Sequence, residues 1–349
     1  MAPDVLLARL AVAVDRAFPG AGVSDLRPVS GGASSLTYSA TLTGAGTSGP
    51  RACFVKVAPA GLEPVRNRDV VRQARLQALL AEDGRIPVPE ILVVDAGDPP
   101  DDPPLYVSGA VDGESLEPLV EREPVFPPAD ILTGRTLAAA GVLARLHEVD
   151  VDRVTALPGA GPAGVDLSGE VDRWARVFAT VDPVLAEAGE RCAQRLRQQL
   201  PEALAPALVH GDFRLGNLIC VGPEVRTVLD WEIWSVTDPR IDLAWFLMTL
   251  AHDGLPSAVR TGAPGLPGPA AVLAEYQRVR DVVVPDLEWF AALSRFRAAA
   301  AMSLNVKHNR RRPDPDPAIE RYAGTLVPFL EAGAALLDGG ERIATSGLI

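Results

Sequence analysis

Nearly all of the strand signal in this chain falls within residues 25–110, and the rest sits in one short insert inside a second half that otherwise reads as helix. SLTYSATL alternates apolar and polar residues, GAGTSGPR turns the chain, and ACFVKVA returns it, which predicts two strands over 35–57. An amphipathic helix is predicted over about 66–81, then strands in IPVPEILVVD and LYVSGAV with the turn DAGDPPDDPP between them. From 130 onward the apolar spacing is helical, in ILTGRTLAAAGVLARLHEV and then near 170–200, 240–253, 270–281, 287–305 and 317–337. The exception is ALVHGDFRLGNLICV followed by RTVLDWEIW, a β-rich insert in the middle of the helices. Strands first and helices later predict an α+β protein, and 349 residues suffice for about two domains.

Charge removes one class of partner. Lys plus Arg is 33 against 45 Asp plus Glu, a net charge of −12, so nucleic acid is not an expected partner. Cys53, Cys192 and Cys220 are scattered and form no zinc spacing, and read as reduced thiols of a cytoplasmic protein. The first residues, MAPDVLLARLAVAVDRAF, carry Asp4, Arg9, Asp15 and Arg16 among apolar side chains, which predicts an amphipathic helix rather than a secretory leader. No uncharged run reaches the roughly 18 residues that span a bilayer, so no membrane partner is expected.

The insert carries the chemistry. HGDFRLGN, residues 210–217, sets Asp212 and Asn217 in an Asp-x-x-x-x-Asn loop, and VLDWE places Asp230 at the end of a following strand. Taken singly, Asp212 and Asn217 read as turn residues and Asp230 as a strand terminator. Together, in this order, they supply a carboxylate for a reacting hydroxyl and hard oxygen ligands for Mg²⁺, two requirements of phosphoryl transfer from a nucleotide. The third requirement, a cation for the phosphates, points to Lys56 in CFVKV. The chain has only two lysines, Lys56 and Lys307, and arginine serves elsewhere. A lone strand lysine is usually an exposed edge residue, but one kept inside an apolar strand can lay its stem along the strand and present its ammonium to phosphate.

GGASSLTY, VHGDFRLGNLI, VLDWE and DPRIDLAW, in that chain order, resemble the aminoglycoside phosphotransferase and choline kinase family, small-molecule relatives of the protein kinases. The nearer likeness is to the branch also found fused to acyl-CoA dehydrogenases, and it spans about residues 25–335. The resemblance implies a two-lobed protein-kinase-like fold, with a β-rich nucleotide-binding N-lobe over 1–107, a hinge at 108–110 and a mainly helical C-lobe over 111–349. It implies Asp212 as catalytic base and Asn217 and Asp230 as Mg²⁺ ligands. His210 and Asp242 would steady the catalytic loop. Gly31, Gly32 and Ser34 in VSGGASS, with Lys56, would cradle the phosphates of ATP, or of GTP, through backbone N–H groups. Ser108 and Ala110 would read the nucleobase. The acceptor would be a hydroxyl of a small molecule.

The helix after the lysine strand departs from the kinase pattern, which pairs the lysine with a Glu. The matching position is Gln73, one turn after Asp69, and one of these two is expected to position Lys56. The missing Glu admits a weakly catalytic nucleotide-binding pseudokinase as one alternative. NVKHNRRR, residues 305–312, reads first as a helix end complementing the dipole, with an anionic acceptor, such as a hydroxyacyl metabolite, held through Arg310–Arg312 as the alternative. Trp234, Trp245, Trp289 and Phe290 are candidates for the acceptor pocket or for plain core. His147 reads as a helix-end core histidine.

Overall fold

The computed structural model describes residues 3–29, 35–46, 49–161, 164–251 and 254–338. Its N-terminal lobe is an antiparallel sheet of order β1-β2-β3-β5-β4. The strands are β1 (Gly22–Val29), β2 (Leu36–Thr43), β3 (Arg51–Val57), β4 (Ile91–Asp95) and β5 (Leu105–Gly109). Helix α1 (Pro3–Ala17) lays Leu6, Leu10 and Val14 on one face of this sheet, against Leu42, Val55 and Val107, the one-sided stripe expected of an amphipathic helix.

Side chains alternate across a strand, so the burial of Cys53, Val55 and Val57 toward α1 puts Lys56 on the opposite face. There Lys56 lies opposite Tyr106 of β5, and Tyr106 packs with Val70 and Ala74 of α2 (Val70–Asp83). The predicted helix starts later than its periodicity suggests, because the Asp69 carboxylate accepts the Arg72 N–H at 2.9 Å and caps the first turn. The strand in IPVPEILVVD is confined to Ile91–Asp95, since Pro87 and Pro89 have no N–H for a ladder. Strand β1 was not visible in the sequence. It is an edge strand, mostly exposed, with a register irregularity between Ser24 and Arg27 that breaks the alternation.

The C-terminal lobe is helical, as expected. Helices α3 (Ala129–Leu146) and α4 (Val151–Thr155) come first, then α5 (Leu167–Phe178) and α6 (Pro183–Gln198). Asp182 caps α6 and Pro183 opens it, which splits the helix expected near 170–200. Helices α7 (Arg240–Thr249), α8 (Pro269–Arg280) and α9 (Leu287–Asn309) follow, and the last predicted helix is broken at Gly324 and Thr325 into α10 (Pro317–Ala323) and α11 (Leu326–Ala335). The β-rich insert is two small ladders, β6 (Ala207–Val209) with β9 (Ser235–Thr237), and β7 (Leu218–Val221) with β8 (Glu224–Val228). Two apolar clusters flank it: α3, α8 and the insert build one, and α5, α6, α9 and α11 the other. Among the described residues no helix is long and apolar enough to cross a membrane.

Candidate active site

The nested ladders decide where the functional side chains fall. Leaving β6 at Val209, the chain runs through HGDFRLGN into β7, then returns from β8 through Leu229–Ile233 into β9. Both functional loops therefore sit at one end of the same small assembly, and the Leu229 N–H joins them by donating to the Asn217 carbonyl at 2.8 Å.

Asp242, in the first turn of α7 and fully buried, holds the 210–217 loop. Its two carboxylate oxygens accept the N–H groups of His210 at 2.5 Å and Gly211 at 2.7 Å. Burial pushes this carboxyl up, yet hydrogen bonding and charge from His147 and His210 hold it below the usual carboxylate range. Gly211 has φ of 90°, and a Cβ there would stand 2.8 Å from the Ile233 carbonyl oxygen, so the turn requires glycine. His210 is structural: its Nδ1 accepts the Asp212 N–H at 3.2 Å, which leaves Nε2 to donate to the Leu229 carbonyl at 2.7 Å. His147 is the buried helix-end histidine expected of it, and meets the Tyr276 hydroxyl at 2.6 Å.

Asp212 is held at both oxygens. Oδ1 accepts the indole N–H of Trp245 at 2.9 Å, while Oδ2 accepts from Asn217 Nδ2 at 3.1 Å and from Arg214 Nε at 3.3 Å. A carboxylate oxygen offers about two lone-pair sites, so Oδ1 keeps one for a further partner. Asn217 Nδ2 also donates to the Asp212 carbonyl at 2.8 Å, which commits the amide nitrogen to the loop and leaves the amide oxygen as the atom that could hold a metal. Arg214 in turn rests on Glu117 at 2.6 Å, and the same Glu117 oxygen accepts the Gly216 N–H at 3.1 Å. Glu117 had no local signal in the sequence, and burial pushes its carboxyl up against the pull of Arg214. Phenylalanine at Trp245 keeps most of the shape and deletes the N–H on Oδ1. A hydrogen bond to a charged group is worth about 1.5–3 kcal/mol, so Trp245→Phe is expected to lower kcat by about tenfold or more without moving the KM for nucleotide. Steady-state kinetics with the two parameters separated check this.

Asp230 adopts a left-handed conformation, φ 63° and ψ 57°, which turns the chain out of β8. Lys56 Nζ lies 3.2 Å from its Oδ1 and 3.9 Å from Oε2 of Glu232. Burial pulls the Lys56 ammonium down, but Tyr106, Asp230 and Glu232 together outweigh it and hold the lysine above its ordinary value, so it stays cationic.

The expected partners from α2 do other things. Asp69 caps its helix, and Gln73 Nε2 donates to the Asn67 carbonyl at 3.1 Å while its buried Oε1 has no hydrogen-bond partner among the described residues. Charge decides the matter: an amide cannot neutralise an ammonium, and the carboxylates of Asp230 and Glu232 can. Glu232, which the sequence reading passed over, follows Asp230 by two positions in the same turn.

Gly31, Gly32 and Ser34 lie outside the described residues. Ser108 is inside β5, paired to Phe54 on one side and Ile91 on the other, and the Ala110 N–H donates to the Ala52 carbonyl at 3.1 Å. The N–H of Ala110 is thus taken up by the sheet.

Of the aromatic candidates only Trp245 reaches the site. Trp234 lies under the Arg72 guanidinium, 3.6 Å from its ring centre, Trp289 donates to the Leu196 carbonyl, and Phe290 lies beneath Arg240. In the basic cluster, Arg310 pairs with Glu320 at 3.0 Å and Lys307 donates to the Thr180 carbonyl at 2.6 Å, so these two residues serve helix ends.

Residues 25–281 match the family model described as the phosphotransferase enzyme family. The chain is 31% identical over 180 residues to acyl-CoA dehydrogenase family member 10 of Mus musculus, covering 50% of this chain and 16% of that protein. It is 26% identical over 253 residues to acyl-CoA dehydrogenase family member 11 of Homo sapiens, covering 70% and 32% respectively. The chain thus spans a third or less of the length of these two relatives. Among solved structures, a Ralstonia eutropha protein assigned to the aminoglycoside phosphotransferases superposes with a TM-score of 0.76 at 20% identity, covering 96% of this chain and 99% of the other. A thermostable aminoglycoside phosphotransferase, in ternary complex with AMP-PNP and hygromycin B, gives 0.61 at 16% identity over 92% and 96% of the two chains. These likenesses carry the protein-kinase-like fold.

Proposed function

The chain belongs to the phosphotransferase enzyme family, and on that premise we propose that it transfers the γ-phosphoryl group of ATP to a hydroxyl of a small molecule with Mg²⁺. The observation that carries the reading is convergence: Asp212, Asn217, Asp230 and Lys56 come from three separate segments, paired by the Asn217–Asp212 and Lys56–Asp230 bonds and brought together by the Leu229–Asn217 backbone bond.

Asp212 orients the acceptor hydroxyl and takes its proton at Oδ1, the oxygen with spare lone-pair capacity, as the new oxygen–phosphorus bond forms. The bond from the γ-phosphorus to the bridging oxygen breaks, and ADP leaves with that electron pair. Asn217 Oδ1 and an Asp230 carboxylate oxygen are the hard donors that suit Mg²⁺, and both belong to loops joined by the Leu229–Asn217 bond. When bound, the metal neutralises phosphate charge. Lys56, kept cationic by its neighbours, exchanges Asp230 for phosphate oxygens. The hinge amide proposed to meet the base is Val111, the first beyond the amides spent on Glu90 and Ala52. Gly31, Gly32 and Ser34 remain proposed as the phosphate loop. The intact carboxylates and amide weigh against the pseudokinase alternative.

The test is the melting temperature with and without ATP, each with and without Mg²⁺. A ligand that binds the native state alone stabilises by about 2.7 kcal/mol at a hundredfold excess over Kd, so a clear upshift requiring both ATP and Mg²⁺ is expected. Asp230→Ala is expected to lose its Mg²⁺-dependent part. No upshift at millimolar nucleotide would overturn the reading.

A further inference from the structure

Helix α2 has two working faces. Val70, Ala74 and Gln77 recur at helical spacing and turn toward the sheet. There Val70 and Ala74 pack on Tyr106, and Gln77 Nε2 donates to the Tyr106 hydroxyl at 3.4 Å. Tyr106 lies opposite Lys56 in the ladder. Arg72, Leu76 and Leu79 fall about half a turn away on the helix. The two leucines join the apolar cluster of the C-terminal lobe that holds Trp231 and Trp234. One helix therefore reaches both sides of the Lys56–Asp230 pair.

Arg72 makes the second contact polar and directional. It is only 9% exposed. Its Nη2 donates to the Trp234 carbonyl at 2.8 Å and its Nε to the Gly159 carbonyl at 2.9 Å, while the guanidinium lies 3.6 Å from the centre of the Trp234 ring. The indole Nε1 of Trp234 is buried and has no hydrogen-bond partner among the described residues. Packing and the guanidinium hold this ring, and a cation over a desolvated indole is a strong contact. Trp234 closes the short turn Trp231–Ile233, which begins at Asp230 and carries Glu232. The start of the turn is fixed by the Leu229–Asn217 bond and by the Trp231 indole N–H on the Val228 carbonyl at 2.9 Å. The β9 ladder begins only at Ser235, so Arg72 holds the one residue between turn and ladder. Asp230 needs this support, because a left-handed conformation costs a non-glycine residue free energy and persists only where its surroundings fix it.

We propose that Arg72 is a positioning residue of the nucleotide site: through Trp234 it holds the 230–234 turn and so sets where Asp230 and Glu232 stand against Lys56. The helix that lacks a carboxylate for the lysine contributes a cation that steadies the carboxylates instead. The assignment rests on the phosphotransferase reading and deepens it. Loss of Arg72 falls on the Mg²⁺-dependent part of nucleotide affinity, the part that uses Asp230.

The experiment is calorimetric titration of ATP, with and without Mg²⁺, into the wild type, Arg72→Met, Arg72→Lys and Arg85→Gln. Arg72→Met keeps the aliphatic stem and removes both hydrogen bonds and the charge. It is expected to weaken ATP–Mg²⁺ binding about tenfold, a change of about 1.4 kcal/mol, and to move Mg²⁺-free ATP binding by less than about twofold. Arg72→Lys keeps the charge without the planar fork, so a smaller loss is expected. Arg85 is the structural control: just past the other end of α2, its Nη1 donates to the Glu148 carbonyl at 3.2 Å. Arg85→Gln is expected to lower the melting temperature and leave ATP–Mg²⁺ affinity unchanged. In an Asp230→Ala background, Arg72→Met is expected to add no loss beyond about twofold, because it acts through the residue already removed.

ATP–Mg²⁺ affinity in Arg72→Met within about twofold of wild type, the margin of independent sites, overturns the proposal. A full tenfold loss in the Asp230→Ala background also overturns it, as does a loss in Arg85→Gln that matches Arg72→Met, since either makes Arg72 an anchor of the helix alone. Should Arg72→Met not fold, Arg72→Lys carries the test, and an unchanged Kd there is the overturning result. Absence of ATP–Mg²⁺ binding by the wild type is the separate outcome that removes the phosphotransferase reading itself.

Discussion

Asp212→Ala is expected to lower kcat by about 10²–10⁴-fold, the range that a positioned general base contributes, while the ATP–Mg²⁺ melting upshift persists. The geometry separates these two effects. The Asp212 carboxylate is held by Trp245, Arg214 and Asn217, and each of the latter two has a second anchor: Arg214 keeps Glu117, and Asn217 keeps the Asp212 carbonyl. Removing the carboxylate therefore strips the proposed proton acceptor without freeing the loop, whose backbone is fixed from the other side by Asp242. Asp212→Asn makes a sharper control. Its shape is preserved, but one amide hydrogen pair must face donors that the carboxylate accepted, so activity is expected to be lost without gain in stability. A residual kcat within about tenfold of wild type in Asp212→Ala, on a scale where the base is worth at least 10², would show that the proton goes elsewhere.

What could be read in advance follows from how far apart the interacting residues are in sequence. Asp212, Asn217 and Asp230 were legible because one pair of small ladders carries them, and local spacing records that geometry. Strands β2, β3 and β5 were legible through alternation and short turns; β1 was not, because an exposed edge strand with Pro28 and an irregular register buries no periodic face. Glu117 joins the site from a sequence-distant segment, and nothing local distinguishes it from any other charged surface residue. Lys56 was found by its burial in an apolar strand, yet its partner was sought on the next helix. The carboxylates that neutralise it come from the far lobe, Asp230 and Glu232, and only the folded chain brings them within 4 Å. Family likeness supplied the roles proposed for these residues; the hydrogen bonds supplied the reasons they stay in place.

Asp242→Asn is expected to give the largest loss of stability among these substitutions, about 3 kcal/mol or more, because it leaves buried donors unmatched. Both carboxylate oxygens accept backbone N–H groups, from His210 and Gly211, in a place closed to water. An asparagine offers one acceptor and turns an NH₂ against the second N–H, so one bond becomes a clash of donors. The pH dependence tests the charge itself. Asp242 is held below the usual carboxylate range, so the folded state binds its proton less readily than the unfolded chain does. Its contribution is therefore complete above the unfolded value of about 4 and is lost as pH falls through the lower folded value. Chemical denaturation of wild type and Asp242→Asn should show the full gap at pH 7 and a narrowing gap in the acid range below about 4. A gap that stayed constant across that range would mean that the loss comes from the mismatched donors and not from the ionised state of Asp242. Because the same two N–H groups fix the backbone that presents Asp212, kcat is expected to fall with stability, even at temperatures where the variant remains folded.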